Sequence, residues 1–288
     1  MLLKVFKHDF KACVRYEVPI LFALLGAVVL GCVNIVLLAP EIFQTSETIS
    51  EITSTIGYFG LIFVLIAMVA VALMMTFILY VRFYNSMATD EAYLTLTLPV
   101  KPSALIAGKL FSALLWSVIS LAALALSVFV FLTTAVLVVA EDSINIFQIY
   151  GEFFVEVWDS IVRIFAENGW LAVLNIIEVV VGWVVGFLTI YFAILFASSF
   201  AKKHKILSAV SVVFGVNLVV SIVTSLIKNA VETSGVFLGE ADIIDMLLGN
   251  YKEILMFECG VDIVINILLG ALFFWLSTFL IKKKVNLD

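Results

Sequence analysis

The chain has 288 residues, 64% of them hydrophobic and 13% charged, with a mean hydropathy of +1.22. An average soluble domain carries about a quarter charged residues, so a water-soluble fold is excluded. The formal net charge of −6 implies no nucleic-acid partner, because acids and bases sit in separate segments and must be counted loop by loop.

At the N-terminus, a helix over residues 1–17 places Leu2, Leu3, Phe6, Phe10, Cys13 and Val14 on one face. Lys4, Lys7, His8, Lys11 and Arg15 lie largely elsewhere. The pattern predicts an amphipathic interfacial helix, its apolar side in the acyl boundary and its lysines near anionic headgroups, before the chain turns inward at Pro19. A plain anchor is the alternative. The charges, which run on to Glu17, extend too far for a signal peptide, so the first apolar run is expected to be retained.

Six apolar runs follow, at about 18–38, 56–81, 105–140, 170–200, 206–227 and 263–281. A membrane span needs about 20 apolar residues, so the expected fold is an all-α polytopic membrane protein forming a single transmembrane domain over 1–288. Thirteen of the 16 lysines and arginines fall in the N-terminus, in 82–109, in Lys202-Lys203-His204-Lys205 and in Lys282-Lys283-Lys284. The intervening loops hold only Arg163, Lys228 and Lys252 among fifteen acids. By the positive-inside rule the basic segments are cytoplasmic, so both ends lie inside and the acidic loops face out. The three cysteines, Cys13, Cys32 and Cys259, suggest no disulfide framework.

Between the second and third runs lies a cytoplasmic segment at 82–104. Thr89 can cap a short helix there, with Asp90 and Glu91 in its positive first turn. Pro99 and Pro102 interrupt helix, and Ser103 can cap the third span. In the outer loop at 141–169, Phe147, Tyr150, Phe153, Phe154, Val157, Trp158, Ile161 and Phe165 recur at helical spacing among acids. That suits an interfacial helix, or equally one packed over the bundle. The last outer loop, 229–259, is too apolar for a free loop and suits a pair of re-entrant or interfacial helices broken around Gly249-Asn250, or a membrane-surface cover.

Within the spans, Glu178 stands out, because a carboxylate there costs about 2.5–3.5 kcal/mol on insertion scales. Lys228 is a candidate partner; protonation, outer water or a substrate cation are others. Asp262 reads as a boundary residue. Asn34, Asn175, Asn217 and Asn266 are expected to hydrogen-bond neighbouring helices, and Gly182 with Gly186 allows close helix contact.

The stretch Asp90-Glu91-Ala92-Tyr93-Leu94-Thr95-Leu96-Thr97-Leu98-Pro99-Val100 resembles the segment after the second span in ABC-2 type transporter permeases. Ala92 stands where that family often has Gly. The resemblance implies a coupling helix at Thr89, Asp90, Glu91, Tyr93 and Leu94, closed by Pro99, that docks on a separate ATP-binding cassette ATPase subunit. It also implies a dimer with a second copy or a related permease, an exporter's direction of transport, and a multi-pass location in a bacterial plasma membrane. A second, smaller contact is expected at Lys202 to Lys205. No Gly-x-x-x-x-Gly-Lys-Ser/Thr loop occurs, since Gly26 to Gly31 is followed by Cys32; ATP and Mg are therefore expected in the partner, with no cofactor, metal or catalytic group in this chain.

Two other classes compete. An intramembrane enzyme needs paired acids, metal-ligating histidines or an activated nucleophile, whereas His8 and His204 are far apart in basic segments. The other is an ion-coupled carrier, which would rest on Glu178, or a non-transporting sensor subunit.

Overall fold

The computed structural model describes residues 2–37, 47–89, 91–96, 100–139, 146–200, 205–233 and 251–285. Among them the regular structure is entirely helical: α1 (Leu2–Leu37), α2 (Glu47–Ala88), α3 (Glu91–Leu96), α4 (Pro102–Val139), α5 (Ile146–Phe200), α6 (Lys205–Thr233) and α7 (Tyr251–Val285). Six of these are long and apolar enough to cross a membrane. The chain is an all-α polytopic membrane protein.

The N-terminal segment and the first span form one helix. The expected turn at Pro19 does not occur; Pro19 lies inside α1 and is exposed. Its ring removes one N–H donor, but α1 continues on both sides of it.

Two compact units divide the chain, one formed by Leu3–Arg82 with Phe111–Glu156 and the other by Met1–Leu2, Phe83–Leu110 and Val157–Asp288. In the first, α1, α2 and α4 meet around Ala27, Val28, Ile35, Val64, Met68 and Phe131. Close approach is built into two glycines. A Cβ at Gly31 would stand 2.9 Å from both Phe131 and Val64, and one at Gly60 would stand 2.2 Å from Asn34 Oδ1. Thr134 adds a hydroxyl contact of 3.2 Å to Cys32 Sγ.

Toward the start of α1, the same unit holds the amphipathic segment against protein. Trp116, buried on α4, donates its indole N–H to the Phe10 carbonyl at 3.3 Å and stacks on the Phe10 ring at 5.1 Å. Asp9 pairs with Arg82 at 3.6 Å, whose guanidinium stands 5.6 Å from the Tyr16 ring centroid. Cys13 Sγ and Ser112 Oγ are 3.8 Å apart. The row Asp9, Cys13 and Glu17 is buried, while Lys4, Lys7, His8, Lys11 and Arg15 are exposed. The expected basic face is thus exposed, and protein covers the inward row, where Asp9 and Cys13 have partners on α2 and α4 and the buried Glu17 carboxylate has no hydrogen-bond partner among the described residues.

In the second unit, Phe83 stacks flat on Tyr191 with centroids 3.6 Å apart, and Tyr191 is buried at 1% exposure. Phe192 stacks on Phe273 at 5.3 Å. Gly270 lets α7 approach α5, since a Cβ there would be 3.2 Å from Val185. Helix α6 behaves differently: its most apolar window has 0% of its residues buried.

Helix α5 has 55 residues, about 80 Å at 1.5 Å per residue, far beyond the ~30 Å hydrocarbon core. Asn168 interrupts it with non-helical angles, φ −139° and ψ 36°. Residues 151–167 before that break are all exposed, and the Phe154 ring stands 6.3 Å from that of Phe129 on α4. Of the expected pair broken around Gly249-Asn250, residues 234–250 lie outside the described residues; the chain from Tyr251 onward is helix and runs directly into the last span.

Candidate functional site

Two places in the second unit gather the residues that sequence reasoning singled out. The first is the elbow between α2 and α4. Thr89 ends α2, its hydroxyl donating back to the Asn85 carbonyl of the preceding turn. The Thr89 carbonyl accepts the Ala92 N–H at 2.9 Å, and this backbone bond starts α3. Glu91 occupies the first turn, where a carboxylate meets the positive end of the helix dipole.

Helix α3 has only six residues, too few to be stable alone, and is held by what it buries. Ala92 is 5% exposed, so a small side chain is required where the resemblance allows Gly. Glu91 and Tyr93 point outward, Tyr93 being 69% exposed. The Thr95 hydroxyl donates to the Glu91 carbonyl at 3.1 Å. Asp90 and Pro99, and the Leu94 side chain, lie outside the described residues.

On the far side of the elbow, α4 begins at Pro102. The Lys101 carbonyl accepts from the Ala104 and Leu105 N–H groups at 2.9 and 3.2 Å. Ser103 is therefore already inside the helix and is not its cap: proline's fixed φ favours the first helical position, which moves the start one residue earlier. The basic turn Lys202 to His204 lies outside the described residues, and Lys205 opens α6.

The second place is a polar group at the acidic-loop ends of α5, α6 and α7. Lys228 donates to Asp262 Oδ2 at 2.8 Å, so the lysine expected to answer Glu178 is paired directly with the residue read as a boundary. Glu178 and Glu258 add their charge to the field at Lys228. Cys259 donates to Asn175 Oδ1 at 3.8 Å. Four acids or amides, one thiol and one ammonium thus converge from three helices. Among the described residues no group of His, Cys, Asp and Glu has metal-holding geometry. The Lys228 side chain is 41% exposed and that of Asp262 24%, so the pair is open to a polar ligand or to solvent.

Of the intramembrane amides, Asn175 bridges helices as expected, its Oδ1 accepting from Cys259 on α7. Asn34, Asn175 and Asn217 each donate to the carbonyl four residues back in their own helix, at 3.2, 3.0 and 2.9 Å. A short amide reaches that carbonyl without leaving its turn. Asn266 is half-buried on α7. Among the described residues nothing stands within 4 Å of a Cβ built at Gly182 or Gly186. Sequence reasoning missed Cys259 and Glu258 as members of the polar group; their spacing from Asp262, three and four residues along one helix, was the available signal.

No family model, no curated protein and no solved structure matches this chain.

Proposed function

We propose that the chain is the membrane-embedded permease subunit of an ATP-driven transporter of the ABC-2 type, coupled to a separate ATPase subunit through α3. The observation that carries this reading is the elbow itself. A six-residue helix, anchored by buried Ala92 and displaying Glu91 and Tyr93, lies between two membrane helices on the lysine-rich side, where a cytoplasmic subunit has access. A short rigid helix of this kind transmits a push from a docked partner into α2 and α4, because it is joined to both by only a few residues. In this proposal ATP and Mg bind the partner, the permease pairs with a second copy or a related permease, and the pair exports its substrate across a bacterial plasma membrane.

The Lys228–Asp262 pair beside Glu178 favours a second reading, an ion-coupled carrier that needs no ATPase. One experiment separates the two. The protein is affinity-purified in mild detergent from its native membrane, with and without Glu91→Ala and Tyr93→Ala, and co-purifying proteins are identified. An ATPase recovered with the parent chain and lost with the variants supports the permease; no nucleotide-binding partner under several detergents and crosslinkers removes it and leaves the carrier.

A further inference from the structure

The arm of α5 that precedes Asn168 has no role in the elbow or in the polar group. Over 157–167 it is helical and wholly exposed. Trp158, Ile161 and Phe165 lie on one side at three- and four-residue spacing, flanked by Val157, Val162 and Ile164, while Asp159, Ser160, Arg163 and Glu167 fill the other. Trp158 is 65% exposed and Phe165 44%. Among the described residues of its unit, nothing covers this apolar side.

We propose that 157–167 is a lipid-docking arm that lies in the plane of the outer membrane–water boundary, its apolar side in phospholipid. Three observations select phospholipid as the occupant. The arm cannot belong to the crossing that follows, because 170–200 alone already exceeds the ~20 residues a bilayer core requires. It is joined to that crossing through the non-helical Asn168, so its apolar side is continuous in the chain with Trp170, 66% exposed at the head of the following span. Its sidedness divides apolar from charged residues with Trp among the apolar ones, the composition of helices that sit at the headgroup level. The charged side carries two acids and one arginine, so attraction to anionic headgroups is not what holds it, and zwitterionic lipid suffices.

The test uses the full chain in phosphatidylcholine nanodiscs. Cys13, Cys32 and Cys259 are replaced, single nitroxide-labelled cysteines are placed at 157–166, and collision with oxygen is compared with collision with a water-soluble nickel chelate. Labels at 158, 161 and 165 are expected to favour oxygen several-fold over those at 159, 160 and 163, with helical periodicity. Uniform access to nickel places the arm in water and overturns the proposal. Apolar positions shielded from both reagents point to a second copy or another protein as the cover and overturn it equally. Should the cysteine-free chain fail to purify, the same question is answered with the native cysteines in place. Brominated phosphatidylcholine then quenches a Trp158-dependent part of the fluorescence, measured as the difference from Trp158→Phe, and absence of that part overturns the proposal.

Discussion

Two segments of this molecule share one sequence signature and meet different fates. The start of α1 and the 157–167 arm of α5 are both amphipathic helices leading into a membrane span. The first lies against protein: Trp116 reaches the Phe10 carbonyl, Arg82 meets Asp9, and Cys13 meets Ser112. The second is exposed at every residue. Hydrophobic periodicity is the same for a helix that packs on protein and one that packs on lipid, since both present an apolar stripe. The polar groups within or beside the stripe make the difference. Asp9 and Cys13 sit in the inward row of α1, where lipid could not satisfy them; the corresponding row of the α5 arm has only carbon and one indole.

The contrast can be broken most severely at Trp116. Trp116→Ala removes a buried ring and the partner of the Phe10 carbonyl, at an expected cost of about 3–5 kcal/mol. In detergent, trypsin should then cut faster at Lys7 and Lys11; an unchanged digestion rate would mean that protein packing does not hold this segment. A smaller effect is expected at Gly60. Gly60→Ala drives a methyl into Asn34 and should cost about 1–3 kcal/mol as overpacking, visible as a lower melting temperature and restored in part by adding Asn34→Ala. The smallest effect belongs to the arm. Ile161→Ser should leave detergent stability within about 0.5 kcal/mol, since the side chain loses no contact within the chain, and a larger drop in melting temperature would show that protein covers it.

Much of this was legible beforehand. Uncharged runs of sufficient length identify spans whatever their packing, because the bilayer forbids charge irrespective of neighbours. The elbow was also readable, because prolines and a short acidic helix start are local signals. One cap was misassigned: Ser103 lies inside α4, because Pro102 takes the first helical position one residue earlier. The polar group was half visible. Glu178 announced itself by its cost in a span, but its association with Asp262 and Cys259 brings together α5, α6 and α7, and such long-range pairing has no periodicity to read. Two of the amides misled for the opposite reason, since Asn34 and Asn217 find a partner within their own turn.

Helix α6 gives almost none of its span to the interior. Within a single chain, such a helix specifies little by the identity of its apolar letters: any residue that lipid accepts will serve. Its information is concentrated in a few marks, such as Lys228 near its end, which pairs with Asp262 on α7. Over generations the apolar stretches between them can drift almost freely in spelling while the marks that meet other helices stay legible.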